Sequence, residues 1–516
     1  MSRINSNISS MVAQFNLAKN NSNLETRLQR LATGLRINRG ADDPAGLIIS
    51  QRLRTELEGI KQGIKNSERA SNVIATTEGG LTEVSDMLNS IRALVVEAAN
   101  SGAFSAEEVA ANQLQIDSAI DSITRIANTA SFGGLKLLNG SLAYNLSGVD
   151  DTDIAKATVN SANFSGRTSI DVDVEVVGSA QQAGVFLNTN FAALSAGATD
   201  GILPNEITIE VAGPDGVVEL TLASGSTVAN IIKAINDRSG VTGIQAEAVS
   251  AADVSSGIRF FSTEYGSDSF VSVKTLAGRD DYTWATLIDN QPGPIDWAGG
   301  SGSQWTTADR DSGKDVIALV NGAVATGRGL QLDIRGPELD LALQLTDTFA
   351  TTVDGTASTF DITGGGALFQ LGPQVNSNQQ VNIGIGSVAA TRLGGTYQLG
   401  ESGNFELQFL SSLKSGGENS LRGNLQNASR VLETAIDEVS TLRGRLGAFE
   451  RNVLDTNIRS LQAGVENITA AESVIRDADF AVETSELTRA QVLTQAGTSV
   501  LALANQQAQS VLSLLG

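Results

Sequence analysis

Cysteine and histidine are both missing from this chain of 516 residues. Without cysteine there is no disulfide, no thiolate metal site and no thiol nucleophile. Without histidine the commonest general base and the commonest neutral metal ligand are gone as well. Neither an HExxH zinc hydrolase nor a Ser-His-Asp hydrolase can be assembled from what remains. Carboxylate chemistry of the glycosidase kind is still open in principle, but the acids of the sequence form no convincing pair. The expectation is a protein that is not an enzyme and holds no cofactor or metal. Aromatic residues make up only 4% of the chain against 41% hydrophobic residues overall, so its core is aliphatic. No apolar run approaches the roughly 20 residues of a membrane span. The opening MSRINSNISSMVAQFNLAKN carries no signal-peptide core. Neither Sec export nor membrane insertion is expected, and the missing disulfides suit the cytosol or an export route that bypasses periplasmic oxidation.

The net charge of −22 is segregated. Residues 1–140 carry 14 basic and 14 acidic side chains, residues 417–516 carry 8 and 12, and residues 141–416 carry 13 and 31. Near-neutral ends around an acidic middle argue against nucleic acid or anionic membrane as partner. The pattern suits ends that pack together and a middle that faces water.

The ends read as helices. Leu53, Leu57, Ile60, Ile64, Ile74 and Leu81, with Ser67 and Ser71 between them, are spaced by threes and fours, and a second run follows at Val84, Leu88, Ile91 and Val95. A third helix carries Leu114, Ile116, Ile120, Ile123 and Ile126. Near the other end, Leu425, Ala428, Leu432, Ala435, Val439, Leu442, Leu446, Phe449 and Val453 alternate steps of three and four without a break, the spacing of a coiled-coil seam. The extreme termini carry looser stripes: Ile4, Ile8, Met11, Phe15, Leu24, Leu28, Leu31 and Leu35 at the start, and Leu493, Ala496, Val500, Leu503, Gln507, Val511 and Leu514 at the end. Neither stripe has a partner in the adjacent sequence, and a lone amphipathic helix is marginal in water. Each buried Leu, Ile or Val is worth roughly 1.5–3 kcal/mol, so each stripe withholds on the order of 10 kcal/mol until something covers it.

The middle changes period. Ile207–Val211 and Val217–Leu222 flank the turn Gly213-Pro214-Asp215-Gly216 and read as a hairpin. A helix is expected from Val228 to Asp237, with strands at Ile258–Ser262, Phe270–Val273, Leu330–Ile334, Leu339–Leu345 and Thr359–Thr363. Gly/Ser/Asp punctuation over 280–315 suggests long loops. Short motifs carry little. Gly364-Gly365-Gly366 lacks the Lys-Ser/Thr tail of a P-loop. The acids Asp150, Asp151 and Asp153, and Asp171 with Asp173, lack the Gly and terminal Glu of a calcium loop. Arg36 and Arg39 beside Asp42 and Asp43 read as an ion-pairing hinge, with Gly34, Gly40 and Pro44 breaking the helix around them.

Longer motifs are far more specific. LQRLATGLRINRGADDPAGLIISQRL, Leu28 to Leu53, resembles the N-terminal signature of bacterial flagellins almost residue for residue. RLGAFERNVLDTNIRSL, Arg445 to Leu461, and ENITAAESVIRDADFAVETSELTRAQVL, Glu466 to Leu493, resemble the C-terminal helices of the same family. TVANIIKAIN, Thr227 to Asn236, and FDITGGGALFQLGP, Phe360 to Pro373, are similar to insert repeats of larger flagellins.

The resemblance implies helical arms from both termini around an inserted, mainly β region. It places an inner terminal-helix domain at 1–42 with 475–516 and an outer coiled-coil domain at 43–145 with 417–474. The surface insert spans 146–416, as one domain or as two parts (146–200 with 310–416, and 201–309). It implies a filament subunit exported unfolded through a flagellar type III channel, secreted, and polymerised with copies of itself. Expected partners are an export chaperone, a filament cap and junction proteins. Leu24, Leu28, Leu31, Leu35, Leu493, Val500, Leu503, Val511 and Leu514 are the expected assembly residues. Leu53, Leu57, Ile60, Ile64, Leu432, Val439, Leu442, Leu446, Phe449 and Val453 are the expected intrachain coiled coil. The rival reading is a hook–filament junction protein, which the large acidic insert disfavours.

Overall fold

Helix starts and stops in this chain are written by local capping chemistry. A computed structural model describes residues 7–513, apart from 101–104, 189–191, 194–200, 250–256, 279–281, 289–303, 337 and 400–404. Helix α1 (Ile8–Thr33) begins where the Asn7 side chain accepts the Ser10 N–H, and stops at Gly34, whose φ of 70° returns its N–H to the Arg30 carbonyl. Helix α2 (Pro44–Ala98) opens on a proline, whose missing N–H costs nothing at that position. Helix α3 (Ala106–Thr129) opens on a reciprocal Ser105–Glu108 capping box. The insert holds the short helices α4 (Val228–Asn236), α5 (Ser239–Thr242) and α6 (Asp347–Thr351). Helices α7 (Leu425–Phe449), α8 (Asp455–Arg476) and α9 (Phe480–Ser513) complete the chain. The two apolar runs read separately before and after Leu81 lie on the single helix α2, about 80 Å long at 1.5 Å per residue. Gly80 within it is a packing glycine, since a Cβ there would come 2.8 Å from Leu138 Cδ1.

By their contacts the residues fall into two units, Met1–Ala70 with Gln370–Gln380 and Arg451–Gly516, and Ser71–Phe369 with Val381–Glu450. In the first unit, the opening of α2 lies along α8. Leu57 and Ile60 are buried there, while Leu53 and Ile64 are half-covered. A Cβ on Gly464 would lie 3.8 Å from Ile60 Cδ1. The end of FDITGGGALFQLGP is laid on the same helices. Asn66 donates to the Gln370 carbonyl at 3.2 Å, and Asn457 donates to the Leu371 carbonyl at 3.0 Å and to Ser67 Oγ at 3.1 Å. Pro373 sits over Gly59, where a Cβ would approach it to 2.9 Å.

In the second unit the seam of α7 buries Ala428, Leu432, Ala435, Val439, Leu442, Leu446 and Phe449, while the α2 face from Val73 to Ala98 buries Ile74, Leu81, Val84, Leu88, Ile91 and Val95. The heptad does not run on to Val453. A five-residue π turn, Glu450–Leu454, adds one residue to the repeat, so Leu454 is fully buried and Val453 only half-buried. Helix α3 buries Ile116, Ile120 and Ile123 as expected and departs from the expected face at Leu114. Leu114 is 67% exposed and Gln113 is buried in its place. Gln113 donates to the Leu413 carbonyl at 2.8 Å and accepts the Leu421 N–H at 2.8 Å, so a partner some 300 residues away pays for its burial.

The insert is two antiparallel sandwiches. One packs a sheet ordered Ala323–Val324, Ile317–Val320, Ile170–Gly178, Ala357–Gly365 and Tyr144–Ser147 over a sheet ordered Thr326–Arg328, Gln331–Arg335, Leu339–Leu345 and Ile154–Ala162. Strand Ile170–Gly178 shows why: Ile170, Val172, Val174 and Val176 turn inward and alternate with Asp171, Asp173 and Glu175. The other sandwich joins Val217–Leu222, Ile207–Ala212, Phe270–Ala277 and Arg310–Ser312 to a sheet of Ile244–Ala248, Ile258–Tyr265, Gln182–Asn188, Thr283–Leu287 and Trp305–Thr307, with Val228, Ile231 and Ile235 of α4 packed on its core. Strand Gln182–Asn188, expected with the 146–200 part, pairs here with Ile258–Tyr265 and Thr283–Leu287.

Candidate assembly surface on the terminal helices

Helices α1 and α9 run antiparallel along one another. Asn7 Nδ2 donates to the Ala504 carbonyl at 3.1 Å, Ser10 Oγ to Asn505 Oδ1 at 2.8 Å, and Asn20 Nδ2 to the Leu493 carbonyl at 3.4 Å. At the other end Ala478 N–H donates to the Gly34 carbonyl at 2.9 Å and Arg36 N–H to the Arg476 carbonyl at 2.7 Å. Small residues recur along the seam. Ser10, Ala13, Ala490 and Ala504 are buried, and a Cβ on Gly497 would touch Leu17.

Among the described residues the most buried charged group in the seam is Glu483, 5% exposed, in the first turn of α9. Arg27 donates to both of its oxygens, at 3.0 and 2.8 Å, and Arg30 to one at 3.1 Å. Burial pushes the Glu483 carboxyl up, but the two guanidinium groups outweigh it and hold the group below the usual carboxylate range.

Large apolar side chains point away from this seam. Phe15 is 72% exposed, Met11 64%, Leu503 65% and Phe480 71%, and Ile8, Val12, Val482, Val492 and Val500 are also exposed. Of the expected assembly residues, Leu28, Leu493, Val500 and Leu503 are exposed, while Leu24, Leu31 and Leu35 are half-buried. Leu35 does not continue the α1 stripe, because the left-handed Gly34 ends the helix before it and Leu35 forms an isolated bridge with Asp477. The side chain of Val511, and Leu514, lie outside the described residues. The sequence reading missed the alanine seam, Glu483 with its two arginines, and the outward Phe480. A search for small residues at helical spacing at both ends would have found the first of these.

The expected hinge of ion pairs at 36–43 is instead a set of backbone caps. Asp42 accepts the N–H groups of Asn38 and Arg39 at 3.0 and 2.8 Å, Asp43 accepts that of Gly46 at 2.9 Å, and the Arg36 guanidinium reaches the Ile475 carbonyl at 2.6 Å. A short aspartate side chain beside free turn N–H groups prefers them to a solvated arginine.

Three family models match the chain. The bacterial flagellin N-terminal helical region covers residues 4–143, the bacterial flagellin C-terminal helical region 430–515, and the flagellin hook IN motif 206–264. Flagellin of Salmonella rubislaw is 30% identical, as is B-type flagellin of Pseudomonas aeruginosa, and flagellin of Salmonella typhimurium is 29% identical; each comparison covers 99% of both chains. The chain belongs to the bacterial flagellins. As a flagellin it is a structural subunit of the flagellar filament, outside the cell, with helical termini around a mainly β insert. Among the described residues no helix is long and apolar enough to cross a membrane.

Proposed function

We propose that this flagellin polymerises by burying the exposed apolar side chains of its paired terminal helices against neighbouring copies. The observation that carries the reading is what the α1–α9 pairing leaves uncovered: Phe15, Leu28, Phe480, Leu493, Val500 and Leu503 stay in water. Four to six such side chains, each worth roughly 1.5–3 kcal/mol when covered, supply on the order of 10 kcal/mol per subunit. A head-to-tail contact of this kind does not close on itself and grows a helical filament. Leu24, Leu31, Val511 and Leu514 belong to the same reading. The sandwiches at 144–365 are the water-facing part, consistent with their acidic charge. We assign no catalysis to the chain. Export unfolded through a narrow channel, with a chaperone covering the apolar helices, fits a chain with no cysteine to crosslink. The test is Leu503→Asp in the full chain. Filament growth from sheared seeds is expected to stop while the far-UV and near-UV circular dichroism of the subunit keeps its form, and normal growth would sink the reading.

A further inference from the structure

The seam between α1 and α9 poses a problem of register. Alanines, a glycine and half-buried leucines such as Leu17 line it, and apolar packing of this kind discriminates weakly against sliding by a turn, about 5.4 Å. Something must select one alignment, since the alignment decides which large side chains on the two helices share an outer face. Beside the uncharged hydrogen bonds of Asn7, Ser10 and Asn20, Glu483 is the charged group that cannot slide. Its side chain is 6% exposed and lies between Arg27 and Arg30, one helical turn apart on α1, whose own side chains are 28% and 21% exposed. Arg27 reaches both carboxylate oxygens. Displacing α9 by a turn in either direction would leave the carboxylate buried away from at least one guanidinium, and an uncompensated buried charge is strongly unfavourable. A buried polar contact in an otherwise permissive helical seam is the best-attested way of fixing register.

We infer that Arg27, Arg30 and Glu483 form a register latch for the terminal helix pair. They are positioning residues for assembly: they bind one another within the subunit, and act by fixing how the exposed side chains of α1, Phe15 and Leu28 among them, lie along Leu493, Val500 and Leu503 on α9. The inference rests on the assembly reading above, because it gives those side chains their use.

The chain's lack of cysteine makes the alignment directly measurable. A Cβ on Gly497 would lie 3.8 Å from the Cβ of Leu17, the separation found across disulfides. The full-length L17C/G497C chain, seeded with sheared filaments, is expected to incorporate and to form the bridge within each subunit on mild oxidation. Adding E483Q, which keeps the shape and removes the charge, is expected to lower both the bridging rate and the seeded growth rate at least tenfold. The swap R27E/R30E/E483R, which restores opposite charges with the sides exchanged, is expected to recover most of both. Equal bridging and growth with and without E483Q would overturn the latch. So would slower growth with unchanged bridging, which would place Glu483 between copies rather than within the pair. Loss that the swap does not recover would assign the effect to shape, and would also overturn it. Failure of the assembly reading is distinguishable, because it shows as normal growth of L503D, whatever E483Q does.

Discussion

Gln113 and Leu421 are joined by a hydrogen bond of 2.8 Å across 308 residues, the backbone N–H of one loop capped by a side-chain carbonyl from the middle of α3. The same amide donates to the Leu413 carbonyl, and also to Asp117 at 2.9 Å. Asp117 in turn accepts the Ser415 N–H at 2.9 Å. One amide therefore satisfies two buried backbone groups of the 410–421 segment. Replacing it with leucine keeps the volume and orphans both, so Q113L is expected to destabilise by about 2–4 kcal/mol, from roughly 1–3 kcal/mol per unmet group. The check is the urea midpoint of the helical signal, which falls while the slope holds.

The π turn makes neighbouring residues behave differently. Leu454 is fully buried and Val453 half-buried. L454A is expected to cost about 2–5 kcal/mol as a large-to-small core substitution, and V453A under about 1 kcal/mol. Thermal melts of the two variants decide it. The reverse ranking would mean that the heptad of α7 runs straight through Glu450.

Acid should weaken the α1–α9 pair. The Glu483 carboxyl is held below its ordinary value by Arg27 and Arg30 against the opposing effect of burial. A group with a lowered folded value contributes stability that is complete above the unfolded value and lost as pH falls through the folded one. The helical content of the chain is therefore expected to fall more steeply on acidification in the parent than in E483Q over the range below pH ~4. Identical acid limbs for the two would contradict the shift.

Gly394 cannot be replaced freely. Its φ is 75°, a Cβ there would come 2.6 Å from the Val431 carbonyl oxygen, and its N–H donates to Glu438 at 3.0 Å. G394A is expected to cost about 1–3 kcal/mol in strain and displacement of α7. A melting temperature equal to the parent's would show that the loop at 389–395 relaxes around it.

Much of this was legible because it depended on local period. Strand Leu339–Leu345 has the bounds expected of it, and the hairpin around Gly213–Gly216 pairs Ala212 with Val217. The α7 seam was readable as far as Phe449. Beyond that the sequence spacing is unchanged and only the hydrogen-bond ring widens, so Leu454 replaces Val453 with no signature in residue type. The face of α3 was misread at Leu114 because hydropathy rewards leucine, whereas the partners that let Gln113 be buried lie near residues 413 and 421. At the termini attention to large apolar residues picked out side chains that stay exposed, Leu28, Leu493, Val500 and Leu503 among them. It passed over the alanines and Glu483, whose meaning appears only when two helices almost 500 residues apart are brought together.

The tie between Asn7 and Ala504 has a kinetic side. At roughly 5–20 residues per second, α1 leaves the ribosome tens of seconds before the helix it will lie against exists. No local folding event can complete it in the meantime, and contacts of such long sequence separation are slow to form. The beginning of the chain must wait for its end.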